Sequence, residues 1–162
     1  MSASERFLVG EFTRTVDDRW RLSLPPELAD GLCESDDEEC MLVKERLGAL
    51  SLWNAKLWRE KIERGIEVVK SKMQARRLEG RLADVQQFGR LLSSRYGNVR
   101  MDGRFRLVIP EGFREFLGVE PNSELMVVGA AVCVEIWHPE QWSSYVGEEM
   151  PAFRQLLDRL SS

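Results

Sequence analysis

The sequence predicts an α+β protein built from two similar sheet-and-helix units in tandem, linked by a helical connector. Three observations predict it. The segment VDDRWRLSLPPEL at Val16–Leu28 recurs as MDGRFRLVIPEGF at Met101–Phe113, with a constant offset of 85. A second block, MLVKERLGALSLWNAKLW at Met41–Trp58, recurs as LMVVGAAVCVEIWHPEQW at Leu125–Trp142 with an offset of 84, the one-residue change falling in the intervening loop. Between the two units, Leu57, Ile62, Ile66, Val69, Met73, Leu78, Leu82, Val85 and Leu92 are spaced mostly three to five residues apart, as on one face of a helix. Internal repetition at this scale marks duplicated supersecondary units. The expected organisation is a first repeat over 7–58, a helical connector over 59–92, a second repeat over 93–146 and a C-terminal helix or tail over 147–162.

Within each repeat the same elements follow in order. An extended segment, Phe7–Val16 or Tyr96–Met101, meets a short polar turn and a second strand ending at Pro25 or Pro110, as in a hairpin. Proline lacks the N–H a ladder needs and stops it there. PPELADGL and PEGFREFLG suit short helices, with proline near the first helical position and Gly31 or Gly118 near the end. Two further strands follow, Met41–Glu45 with Leu50–Trp53 and Leu125–Gly129 with Val132–Trp137, turning at Gly48 or Gly129-Ala130. Asn54 and His138 then occupy corresponding helix N-cap positions. In the connector, Gly65, Gly80 and Gly89 mark places where the helix is expected to break.

Composition narrows the function. The chain has 162 residues and is 43% hydrophobic, which is enough to bury a sizeable core. Its longest uncharged apolar runs, such as Leu125–Val134, are of strand length and far below the roughly 18 to 20 residues of a membrane span. The N-terminal MSASERFLVG places Glu5 and Arg6 before a short apolar run, unlike a signal peptide, and a cytoplasmic protein is expected. Three cysteines, Cys33, Cys40 and Cys133, cannot all pair within one chain, and none has zinc-ligand spacing, so a reducing compartment fits. Cys133, inside AAVCVEIW, reads as a small buried hydrophobe.

The net charge of −4 conceals an uneven distribution. Arg59–Arg106 holds 13 Lys/Arg against 6 Asp/Glu, leaving 10 against 21 elsewhere. Most connector charges are expected on a solvated helix face. The acidic run ESDDEE, Glu34–Glu39, reads as a solvated loop, since it lacks the glycine and spacing of an EF-hand.

The single histidine, His138, is accounted for as a helix cap and has no nucleophile beside it, so no catalytic residue, metal site, cofactor or small-molecule substrate is predicted. Trp53, Trp58, Trp137 and Trp142 share a five-residue spacing at strand-to-helix junctions and read as core or subunit packing. The best candidate site is the repeated turn D-x-R-aromatic-R, Asp17-Asp18-Arg19-Trp20-Arg21 and Asp102-Gly103-Arg104-Phe105-Arg106. Asp17 and Asp102 are expected to structure their turns by binding turn amides and pairing with the final arginine. Arg19, Arg21, Arg104 and Arg106 are the candidate DNA contacts, because a forked guanidinium suits phosphates and guanine edges.

These features resemble the MraZ family, regulators of the bacterial division and cell-wall gene cluster related to AbrB-type swapped-hairpin proteins. The residues that carry the resemblance are Asp17 with Arg21, Asp102 with Arg106, Pro25, Pro110 and EIWHPEQW, and it spans about Phe7 to Val146. It implies two AbrB-like subdomains, ring-shaped homo-oligomers, a nucleoid-associated cytoplasmic location and binding of double-stranded DNA at short promoter repeats. Family members usually carry glycine just before the final arginine, where this chain has Trp20 and Phe105. If that position is left-handed, a non-glycine residue there costs about 1 to 2 kcal/mol. The alternative function, a structural oligomer or protein-interaction module of the same fold without DNA binding, differs in having its turn arginines neutralised or buried. A toxin-neutralising role would want an appended disordered tail, which is not evident in the sequence.

Overall fold

The structure, a computed structural model, describes residues 6–33 and 39–162; the acidic run beginning at Glu34 lies, except for Glu39, outside the described residues. The first repeat supplies β1 (Leu8–Thr15), β2 (Arg21–Ser23), α1 (Pro26–Leu32), β3 (Glu39–Arg46) and β4 (Ala49–Asn54). Helices α2 (Ala55–Gln74) and α3 (Leu82–Arg95) follow. The second repeat supplies β5 (Tyr96–Arg100), β6 (Arg106–Val108), α4 (Glu111–Leu117), β7 (Glu124–Ala131) and β8 (Val134–Trp137), and the chain ends in α5 (Pro139–Glu149) and α6 (Phe153–Ser161). The architecture is α+β.

The local signals explain most boundaries. Pro26 starts α1, and the N-cap residues Pro25 and Pro110 precede α1 and α4, both with the φ that proline prefers. Gly118 ends α4 in the left-handed conformation, with its N–H donated to the Arg114 carbonyl. Gly31 does something else. It lies inside α1, where a Cβ would run into the Leu8 side chain, so it permits close packing of helix on strand. Asn54 caps α2 by accepting from the amides of Lys56 and Leu57, and His138 Nδ1 accepts from the Glu140 amide at the start of α5. Gly65 and Gly89 are accommodated within α2 and α3, while the break falls at 75–81, around Gly80, where Arg76 has φ of 59° and a 3₁₀ turn spans Glu79–Arg81.

Strand pairing corrects one expectation. The strands flanking each D-x-R turn do not ladder with each other as hairpins. Instead β1 crosses to pair with β7, from Leu8↔Ala131 to Thr15↔Glu124, and β5 crosses to β3, from Glu39↔Arg100 to Val43↔Tyr96. With the central β4–β8 pairing these form a six-stranded sheet in the order β1-β7-β8-β4-β3-β5, while β2 and β6 form a separate two-stranded ribbon. The order reads the same from both ends once β1 is matched with β5, β3 with β7 and β4 with β8. Two sheet-and-helix units are therefore interleaved about a pseudo-two-fold axis, consistent with a tandem swapped-hairpin-like fold.

The physical reason is burial. Leu22 and Leu107 face each other directly across the ribbon, and both are fully buried. Along with Leu24 and Ile109 they pack on Leu42, Leu52, Val127 and Ile136 of the large sheet in one core shared by both repeats. Each leucine so buried contributes roughly 1.5 to 3 kcal/mol over leaving it exposed. A ribbon within one repeat would place only one of the pair there.

Register also relocates the one-residue difference between repeats. Leu42 pairs with Leu52 and Val127 with Ile136, so β3 matches β7 at an offset of 85 while β4 matches β8 at 84. The extra residue lies in the β3–β4 hairpin, at a bulge between Lys44 and Arg46, and not in the preceding loop.

Candidate nucleic-acid interface

Each D-x-R turn is organised by its aspartate. Asp17 Oδ1 accepts from the amides of Arg19 (2.9 Å) and Arg21 (2.8 Å), and Oδ2 accepts from Arg21 Nε at 2.7 Å. Asp102 repeats the arrangement, with the amides of Arg104 (2.8 Å) and Arg106 (3.0 Å) and Arg106 Nε at 2.9 Å. The Asp17 and Asp102 amides donate to the Arg21 and Arg106 carbonyls, closing the chain reversals. The Arg21 amide on Asp17, and the Arg106 amide on Asp102, lead the interactions that hold both carboxyls below their ordinary value of 3.8. Both therefore carry charge at neutral pH and make poor proton donors.

The aromatic residues of the motif hold left-handed backbone, with φ of 62° at Trp20 and 58° at Phe105. That geometry costs each non-glycine residue about 1 to 2 kcal/mol. Offsetting it, the Trp20 carbonyl accepts from the Ile109 amide and the Phe105 carbonyl from the Leu24 amide, each at 2.9 Å, so both residues extend the ribbon ladder by one bond. Both rings are half-buried against the shared core, and Trp20 lies 5.0 Å below the Arg114 guanidinium. Arg114 is itself fixed by donating Nε to the Ile109 carbonyl at 2.7 Å. The rings are thus anchors beneath the turns.

Alternation sorts the ribbon into two faces. Leu22 and Leu107 point into the core, so Arg21 and Ser23, opposite Val108 and Arg106, point away from it. Ser23 and Val108 are exposed, and Arg21 and Arg106 are partly exposed. Arg19 and Arg104 stand at the turns at either end; among the described residues neither guanidinium is engaged in a hydrogen bond or ion pair. The two turn motifs, 85 residues apart in sequence, thus contribute to a single outward surface. Sequence reasoning named the arginines but missed Ser23 and Val108 and the pairing that unites them. The available signal was the repeated R-L-S and R-L-V, each with one leucine between outward-facing residues.

The tryptophans sit elsewhere. Trp53 and Trp58 (ring centroids 5.8 Å apart) belong to a small cluster with Met41, Val43 and Cys133, while Trp137 and Trp142 (5.3 Å) gather with Tyr145 on the other repeat. Burial pushes the Cys133 thiol up to about 12, as suits a packing residue. Among the described residues no group of three or more His, Cys, Asp or Glu is placed to hold a metal ion, and no helix is long and apolar enough to cross a membrane.

Fold and site together define a class: an interleaved tandem repeat that presents an arginine-bearing β-ribbon on an open sheet. Comparison with known proteins narrows it. Residues 96–160 match the model of a family described as "MraZ protein, putative antitoxin-like". The chain is 26% identical over 152 residues to the transcriptional regulator MraZ of Heliobacterium modesticaldum, covering 94% of this chain and 95% of the relative. It is 25% identical to that of Acetivibrio thermocellus with the same coverage, and 26% identical over 157 residues to that of Symbiobacterium thermophilum, covering 94% and 99%. The chain is thus similar to MraZ proteins along nearly its whole length.

Proposed function

We propose that this chain is a sequence-specific DNA-binding transcriptional regulator of the MraZ type, acting as a ring-shaped homo-oligomer on short promoter repeats of a division and cell-wall gene cluster. The observation that carries the proposal is the ribbon face with Arg21 and Arg106 on it and Arg19 and Arg104 at its ends. The major groove admits a two-stranded ribbon, and arginine is suited to the guanine edge and to phosphate. The full-length similarity to proteins named as transcriptional regulators supports a regulator-like role.

Charge sets the terms of binding. The two turns together hold four arginines against Asp17, Asp18 and Asp102, a small positive surplus. One chain therefore offers few contacts, and affinity must come from several ribbons engaging successive repeats at once. Arg21 and Arg106 have a second duty, since their Nε atoms brace the aspartates. Arg19 and Arg104 are the cleaner probes. Replacing both with alanine should make the slope of log affinity against log salt less negative by about 0.9 for each of the two that touches a phosphate, with the oligomer intact. The assay is a salt titration against DNA upstream of the protein's own gene. Unchanged affinity and slope in the correctly assembled double variant would refute the assignment. The pairing of Arg21 and Arg106 with aspartate favours a second reading, a structural oligomer without DNA binding; an intact assembly with no affinity for that DNA at low salt would establish it.

A further inference from the structure

We propose that Cys33 and Cys40 form an oxidisable dithiol site, closed to an internal disulfide by exchange with a small external disulfide such as oxidised glutathione. Their Sγ atoms lie 2.9 Å apart, beyond a disulfide bond of about 2.05 Å but already in contact. The two residues bracket the link between α1 and β3: Cys33 is the C-cap of α1 and Cys40 is the second residue of β3. Both ends are held by the surrounding fold. The Cys33 amide donates to the Ala29 carbonyl, the preceding Leu32 carbonyl accepts from Asn54 Nδ2, and Cys40 is in register between Asn54 and Val99. The sulfur atoms therefore meet because the backbone of two ordered elements places them together.

The site belongs to one repeat only. At the corresponding positions of the second repeat stand Gly118, which ends α4 in a left-handed turn, and Leu125, the second residue of β7. No demand of the duplicated fold requires thiols here, because the second repeat makes the same helix-to-strand link without them. Exposure assigns the order of events. Cys33 is half-buried and reachable, while Cys40 is fully buried. The Cys33 thiolate attacks one sulfur of the external disulfide, whose S–S bond breaks; a mixed disulfide forms on Cys33 and one small thiolate leaves. Cys40, as thiolate, then attacks Cys33 Sγ and expels the second small thiol. Two protein thiols are oxidised, the external disulfide is reduced to two thiols, and the two protons pass from the cysteines to the leaving thiolates. Contact between the sulfurs makes the second step effectively unimolecular, so the mixed disulfide should be short-lived.

Cys133 supplies an internal control, being buried with its thiol pushed up to about 12. Thiolate is the reacting species, so it should stay unreacted in the folded protein. The test treats the whole native protein with oxidised glutathione, alkylates remaining thiols after unfolding, and digests with trypsin. Leu22–Lys44 is one tryptic peptide containing Cys33 and Cys40 and no other cysteine. The expected result is that this peptide loses two hydrogens in mass and takes up no alkylating agent, while Cys133 is fully alkylated, and that a reductant reverses the change. The Cys40→Ser protein should instead accumulate the glutathione adduct on Cys33. In the wild-type protein, a stable glutathione adduct, a chain-to-chain disulfide or an unaltered peptide would each overturn the proposal.

Discussion

The backbone at Trp20 and Phe105 allows the strain of the two turns to be measured separately from their packing. Replacing each residue with alanine removes the ring but keeps a Cβ in left-handed backbone; replacing it with glycine removes the same ring and the Cβ as well. The ring's contribution cancels between the two variants. What remains is the left-handed cost of about 1 to 2 kcal/mol, reduced by about 0.4 to 1 kcal/mol for the greater freedom glycine gives the unfolded chain. Taking the middle of both ranges, glycine should therefore be the more stable choice by about 0.8 kcal/mol at each site. Trp20 opposes Ile109 at one end of the ribbon and Phe105 opposes Leu24 at the other. Four residues of strand, about 13 Å, separate the ends, so the two effects should add. For a chain of this size the double-glycine protein should melt about 3 to 6 °C above the double-alanine protein. Thermal unfolding followed by circular dichroism at one fixed protein concentration, with urea titration alongside, gives the comparison. A double-alanine protein as stable as the double-glycine protein would show that the turns carry no left-handed strain.

Other consequences can be tested in parallel. Leu22→Ala or Leu107→Ala should each destabilise the protein by about 2 to 5 kcal/mol in denaturant titration, and because the two side chains meet directly, the double variant should depart from the sum. Asp17 and Asp102 have folded-state pKa values below their unfolded ones, so their contribution is present above about pH 4 and is lost as pH falls through the folded values. Unfolding followed from pH 7 downward should show a steeper acid loss in the wild-type protein than in the Asp17→Asn, Asp102→Asn variant, which keeps an acceptor at each turn but cannot titrate there. Equal acid limbs would remove the aspartates from the pH response.

The sequence was most informative where a residue's local chemistry decides its place. Asn54 and His138 cap helices because a side-chain acceptor at that position meets free amides, and Gly118 ends α4 because it tolerates φ of 77°. The turn aspartates were legible for the same reason. Strand partners were not, because periodicity states which face of a strand is apolar and says nothing about which strand lies beside it. Leu22 and Leu107 were visibly equivalent, yet equivalence does not announce contact. The bulge at Lys44 to Arg46 was likewise hidden: an ungapped alignment of Met41–Trp58 absorbs one extra residue by sliding a whole strand.

That contact between equivalent residues explains what is gained by joining the repeats in one chain. A ribbon assembled from two identical chains must show the same residue on both strands at symmetric positions. Here the positions that hold the ribbon together remain symmetric: leucine against leucine, aspartate against arginine in both turns, and a left-handed aromatic at each end. The outward positions differ, Ser23 on one strand corresponding to Val108 on the other, and Asp18 in one turn to Gly103 in the other. Covalent fusion separates the two demands, since a substitution on one strand no longer alters the other. On the proposed function, that asymmetry gives each ribbon a direction on DNA, and promoter repeats that all run the same way are the target such a surface fits.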